Sequence, residues 1–194
     1  IQNLIEAFER LPGIGPKTAQ RLTFYLLHVP QGELDSFASA LQKLKNDTVL
    51  CSNCFSIDEI DPCSICADLE RDKRTICVVE EPLDVLALEK ARFDGLYHVL
   101  GGQISPINNV SPEGLKIKEL LARLEGGQFK EVILATDPSL EGEATALYID
   151  EQVSKNQKAD KLKGIKITRI ARGLPVGGDL EYADHLACVR NNSA

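Results

Sequence analysis

The sequence predicts an α/β protein with an N-terminal all-α module, and three observations carry that expectation. Apolar residues recur at helical spacing through the first 45 positions. Two C-x-x-C pairs follow close together. From residue 75 onward, short β-branched runs alternate with helical stretches. We divide the chain accordingly into an α-helical hairpin module (1–50), a four-cysteine knuckle (51–70), a mostly parallel sheet flanked by helices (71–170) and a Gly-rich loop with a closing helix (171–194).

Ile1, Leu4, Ile5, Phe8 and Leu11 fall on one helical face, and "PGIGP" ends that helix. Pro16 suits the first position of a second helix, which carries Ala19, Leu22 and Leu26 inward and stops near residues 29–32. A third helix is expected to bury Leu34, Phe37, Ala38, Leu41 and Leu44. Between the first two helices, Gly13 and Gly15 lack a Cβ, so the backbone can approach a ligand closely. The following helix N-terminus offers N–H groups to an anion. Lys17 and Arg21, four residues apart, share a face from which both can reach neighbouring phosphates. A hairpin whose glycines serve only the turn would have the same spacing.

Charge limits how nucleic acid can be bound. The net charge is −7, with five basic and five acidic residues in 1–50, and five acidic residues but no Lys or Arg in 51–70. A chain this acidic is not a non-specific polycation; if it binds nucleic acid, it does so through small local sites rather than through its whole field. No run of about eighteen apolar residues occurs, and the N-terminus lacks a basic-then-apolar leader, so the expectation is a cytoplasmic protein with no membrane contact.

"CSNCFSIDEIDPCSIC" places Cys51 and Cys54, then Cys63 and Cys66, as two knuckles with eight residues between them. Four thiolates so spaced complete a tetrahedral Zn²⁺ site, one per chain, with no open position for substrate. An iron–sulfur cluster is the competing reading. Cys77 lies in an apolar run and reads as core, and Cys188 as a packed helix residue.

In the second half, "TICVVE", "GLYHVL", "EVILAT" and "IKITRIA" read as strands, with helices starting near Pro82, Gly114 and Glu141. Ligand chemistry in parallel sheets gathers at strand carboxyl ends. Those ends carry Glu80 and Glu81, then Asp137, with Glu141 and Glu143 opening the next helix. Two acidic groups on adjacent strands can hold Mg²⁺ weakly, although the helix dipole alone also favours Glu in a first turn.

The motifs also carry resemblances. "LPGIGPKTAQRL" resembles the helix-hairpin-helix of DNA-repair proteins, which binds the sugar-phosphate backbone through apolar-Gly-apolar-Gly. "VVEEP" with "ATDPSLEGEATALYI" is similar to the Toprim domain of topoisomerases, primases and small nucleases. Where the topoisomerase pattern has Asp-x-Asp-x-Glu, this chain has Asp137, Ser139 and Glu141, so one catalytic carboxylate is missing. Helix-hairpin-helix, four-cysteine knuckle and Toprim unit in this order, closed by "RIARGLPVGGDLEYAD", resemble the bacterial RecR recombination-mediator family over essentially the whole chain. Asn108-Asn109 replace a usual Asp-Gly, Asp137 stands where Asn is frequent, and the tail "HLACVRNNSA" lacks the usual Leu- and Ala-rich ending. The first two departures favour some metal affinity. "GLPVGGD" reads as a turn shaping a subunit contact, since no G-x-x-x-x-G-K-[ST] occurs to support ATP hydrolysis.

The resemblance implies a non-enzymatic mediator. It would bind single- and double-stranded DNA without sequence preference as a ring, commonly a tetramer, and associate with the nucleoid on DNA. With RecO and RecF it would load recombinase at single-stranded gaps. Glu80, Asp137, Glu141 and Glu143 would form an acidic face for RecO docking or weak Mg²⁺ binding. The alternative is a small Toprim-domain nuclease, which requires an intact acidic triad.

Overall fold

The computed structural model describes residues 1–159, 162 and 164–170. The Gly-rich loop, Cys188 and the closing helix expected in 171–194 lie outside the described residues. The chain divides into two compact units, Ile1–Thr48 and the remainder from Val49.

The first unit contains α1 (Gln2–Glu9), α2 (Pro16–Leu26) and α3 (Gln31–Lys43). Pro16 occupies the first turn of α2, where its missing N–H costs nothing. Ile5 of α1 and Ala19 and Thr23 of α2 are buried, and Leu22 and Leu26 are half-buried. The expected buried face of α3 is corrected: α3 buries no residue, and Phe37, Leu41 and Leu44 are 47%, 58% and 61% exposed. Its apolar stripe has no partner among the described residues of its own unit large enough to cover it.

The second unit opens with a two-strand antiparallel ribbon, β1 (Val49–Leu50) and β2 (Ile57–Asp58), and a one-turn helix α4 (Ser64–Ala67). β3 (Asp72–Val79), α5 (Pro82–Lys90), β4 (Gly95–Val99), α6 (Ile117–Gly126), β5 (Glu131–Leu134), α7 (Leu140–Lys158) and β6 (Lys166–Arg169) follow. The four long strands form one parallel sheet in the order β4-β3-β5-β6. All four strands expected from the β-branched runs are therefore present and parallel.

Strand alternation sorts the core into two layers. Ile76 and Val78 of β3 pack with Leu120 and Leu124 of α6 and Ala146, Ile149 and Val153 of α7. Cys77 and Val79 point the other way, into a smaller cluster with Val85, Tyr97 and Val99; Phe55 and Ile65 of the cysteine knuckle pack against it. Both faces are covered, as an all-parallel sheet requires.

Arg71 ties β3 to its surroundings. Its guanidinium forms a two-pronged ion pair with Glu89 (2.8 and 2.5 Å) and donates to the carbonyls of Phe93 and Gly95. Glu89 also accepts the Tyr97 hydroxyl at 2.7 Å. The carboxylate is held below its usual range, chiefly by Arg71.

Candidate metal centre and nucleic-acid interface

The ligand atoms of Cys51, Cys54, Cys63 and Cys66 all lie within 4.8 Å of one another. Cys54 and Cys63 Sγ are 3.5 Å apart. A tetrahedron with Zn–S bonds of about 2.3 Å has an edge of roughly 3.8 Å, so the spacing fits. Backbone geometry aims the sulfurs: the Cys63 N–H donates to Cys51 Sγ (3.3 Å) and the Cys66 N–H to Cys63 Sγ (3.4 Å). Each knuckle turns tightly, and Phe55 adopts φ +62° to close the first. Cys51, Cys54 and Cys63 are buried, and none of the four is disulfide-bonded.

The donor chemistry asks for a cation. Burial, with neighbouring sulfurs adding to it, pushes the Cys63 thiol up to about 12. A shared hydrogen bond with Cys66, together with burial, pushes Cys54 up as well. Cys51 goes the other way, to about 7: burial raises it, but the N–H groups of Cys63, Cys54 and Asn53 outweigh that. Four thiolates this close, three of them buried, become compatible only around a positive charge, which is what a structural Zn²⁺ supplies.

In the first unit, Gly13 has φ +80°, a conformation that L side chains rarely adopt, so this turn needs glycine. A Cβ on Gly15 would meet no atom within 4 Å, so the backbone there is open to a ligand. Gly15 is the N-cap of α2 and contributes no capping side chain, and the first turn holds no acidic residue. The first intrahelical bond runs from the Ala19 N–H to the Gly15 carbonyl (3.0 Å), which leaves the N–H groups of Lys17 and Thr18 at an electropositive helix end. Lys17 and Arg21 are exposed on successive turns of α2. The four hairpin residues are thus grouped at one helix start.

The acidic residues sit at the carboxyl ends of β3 and β5, which are neighbours in the sheet. Glu80 is only 6% exposed and accepts the Asp137 N–H at 3.1 Å. Burial pushes its carboxyl up, with Asp137, Asp84 and Glu81 adding to the rise against the Asp137 N–H. Asp137 is exposed and Glu141 half-buried. Glu143 is ion-paired with Arg169 of β6, which turns it toward the sheet's far strand. Among the described residues the four cysteines are the only group of three or more such ligands drawn together within 4.8 Å. Ser139, at the position of the missing carboxylate, is the N-cap of α7: its Oγ accepts the Gly142 N–H (3.0 Å) and donates to Gln103 (3.0 Å).

Sequence reasoning missed Gly142. A Cβ there would lie 2.2 Å from the Asp137 carbonyl oxygen and 2.9 Å from Glu80 Oε1. Gly142→Ala is expected to push α7 off the β5 loop and cost about 2 kcal/mol, as overpacking does. Urea unfolding measures it; an unchanged midpoint would show that the loop gives way freely.

Comparison with known proteins agrees with this geometry. The family model for the RecR helix-hairpin-helix matches residues 1–45, that for the RecR four-cysteine zinc finger domain matches 48–68, and that for the Toprim domain matches 74–171. The chain is 54% identical over 191 residues to "Recombination protein RecR" of Moorella thermoacetica, and 52% identical to that of Heliobacterium modesticaldum. In both cases 98% of this chain and 92% of the relative are covered. The protein of the same name from Herpetosiphon aurantiacus is 50% identical, over 98% of this chain and 90% of its own length. With its hairpin, four-cysteine knuckle and parallel sheet in the matching order, the chain belongs to the RecR family of recombination proteins.

Proposed function

We propose that this protein is a non-enzymatic recombination mediator that grips the DNA backbone without reading sequence and acts with RecO and RecF to load recombinase at single-stranded gaps. The observation that carries the DNA-binding part is the α2 start: a glycine-only turn, an open backbone at Gly15 and two exposed cations one turn apart. Phosphate contacts of this kind position a protein on DNA and carry no base information.

One hairpin on a chain of net charge −7 makes few contacts. Several hairpins in a ring, commonly a tetramer, would add through effective concentration. The exposed apolar residues Phe37 and Leu41 of α3 and Leu44 at its C-cap favour such an assembly, since a stripe of this size on a free monomer is a liability.

The acidic face at Glu80, Asp137, Glu141 and Glu143 then serves RecO docking, with weak Mg²⁺ binding as its other use. The nuclease alternative is disfavoured by Ser139: a hydroxyl engaged in capping α7 supplies no charge to clamp a reacting phosphate. With Mg²⁺ or Mn²⁺ the protein is expected to cleave neither duplex nor single-stranded DNA. Cleavage abolished by Glu80→Ala would overturn the mediator reading.

RecO docking is tested by Glu141→Ala, which should lose RecO binding and stimulation of recombinase loading while melting like wild type. Glu143→Ala is the less clean variant, because it also frees Arg169. Wild-type RecO affinity in a folded Glu141→Ala, Asp137→Ala double variant would remove the acidic face from the reading.

A further inference from the structure

Among the described residues, the outer edge of β4 is closed by the cysteine knuckle and two arginines rather than by another strand. In the sheet of the described residues β4 is the end strand and pairs with β3. In a parallel pair, alternate residues turn their backbone groups outward, here Gly95, Tyr97 and Val99. Each has a partner from outside the sheet. The Gly95 carbonyl accepts from Arg71 (3.3 Å), the Tyr97 carbonyl accepts from Arg123 Nη1 (2.6 Å), and the Val99 N–H donates to the Cys54 carbonyl (2.8 Å).

Arg123 faces two ways. While Nη1 holds the Tyr97 carbonyl, Nη2 lies 3.9 Å from Cys66 Sγ. Its guanidinium lies over the Phe129 ring, 5.9 Å from the centroid, so the side chain is flanked as well as hydrogen-bonded. The first knuckle reaches the same strand through Phe55, whose ring meets His98 edge-on at 5.4 Å. Both knuckles are therefore anchored to β4, one through Cys54 and Phe55 and the other through Arg123.

We propose that Arg123 is an outer-shell positioning residue of the zinc site, and that it joins the site to the Toprim sheet so that metal binding and the order of β4 are one cooperative property. This rests on the four-cysteine knuckle holding zinc. A guanidinium beside a metal-bound thiolate offsets the excess negative charge of a four-sulfur site and fixes that ligand's direction. The same fork satisfies an edge carbonyl that would otherwise need water or a neighbouring chain. Loss of the metal frees Cys54 and Cys66 together, and with them two of the three edge contacts of β4.

The test uses full-length, zinc-loaded protein. Transfer of Zn²⁺ to a chromophoric chelator should be roughly tenfold or more faster in Arg123→Met than in wild type. Arg123→Lys, which keeps the charge but not the fork, should fall between them. In Co²⁺-substituted protein the thiolate-to-cobalt charge-transfer band should shift in Arg123→Met and move back in Arg123→Lys, which a purely structural arginine would not produce.

In wild type, removal of zinc should expose the Val99 amide to hydrogen exchange while the Val132 amide in central β5 stays protected. Wild-type release and an unshifted band in a folded Arg123→Met protein would overturn the outer-shell role. Should Arg123→Met not fold, wild-type release in Arg123→Lys would do the same. A Val99 amide still protected after zinc removal would overturn the coupling to β4. A zinc-free native protein would defeat the metal reading itself, an outcome that metal analysis of the starting material separates from the others.

Discussion

Cys51→Ser and Cys66→Ser are each expected to lose the metal and to melt at least 10 °C below wild type, with most of the chain becoming insoluble. The magnitude follows from coupling. Structural Zn²⁺ contributes on the order of 10 kcal/mol to the folding of the segment that binds it, and a neutral hydroxyl at one corner leaves three sulfurs around a weakened site. A net loss of about 3–5 kcal/mol in a domain of this size lowers Tm by roughly 10 °C. Two residues of the knuckle, Phe55 and Ile65, pack into the sheet's smaller core layer, so the damage reaches the α/β unit. Metal analysis should give one Zn²⁺ per wild-type chain and none in the variants. A metal-free wild-type protein that melts like the native preparation would refute the structural role.

The parts of this molecule legible in the sequence share a physical character: the cause lies within a few residues of the effect. β-Branched runs gave all four parallel strands, and a C-x-x-C spacing fixed which sulfurs could converge. Pro16 marked a helix start because its backbone chemistry is local. The α3 stripe shows where this ends. Apolar spacing establishes that a helix has a sticky side; it does not say what covers it, and among the described residues of its own unit nothing covers Phe37 and Leu41 fully. The β1–β2 ribbon was missed because two-residue strands have no period to read. Arg123 and Gly142 were missed for a different reason. Arg123 meets partners 26 and 57 positions earlier, and Gly142 is glycine because folding brings the Glu80 carboxylate against it. Similarly, a Glu in a first helical turn reads as dipole compensation, and only the fold reveals that Glu143 is paired with Arg169.

Lys17→Ala and Arg21→Ala are each expected to weaken DNA binding roughly tenfold, about the value of a lost hydrogen bond to a charged group, and the double variant should nearly abolish it. The loss should be equal across unrelated duplexes, because phosphate contacts carry no sequence information. Each missing cation should also flatten the dependence of log affinity on log salt by roughly one unit per subunit engaged. In a ring the effect multiplies, since every subunit loses the same contact at once. Lys43, in the last turn of α3, and Lys45, just beyond that helix, are the controls, expected to change affinity little. The α2 substitutions should leave folding intact, because both side chains are exposed and alanine is a better helix former than either. Binding is measured over a salt series with native mass followed in parallel, so that a broken assembly is not mistaken for a lost contact. Substituting Gly13, whose φ of +80° resists any side chain, would confound the two by distorting the turn, which is why the cations are the better probe. An assembled Lys17→Ala, Arg21→Ala protein with wild-type affinity and salt slope would reduce the hairpin to a structural turn and move the DNA contact elsewhere.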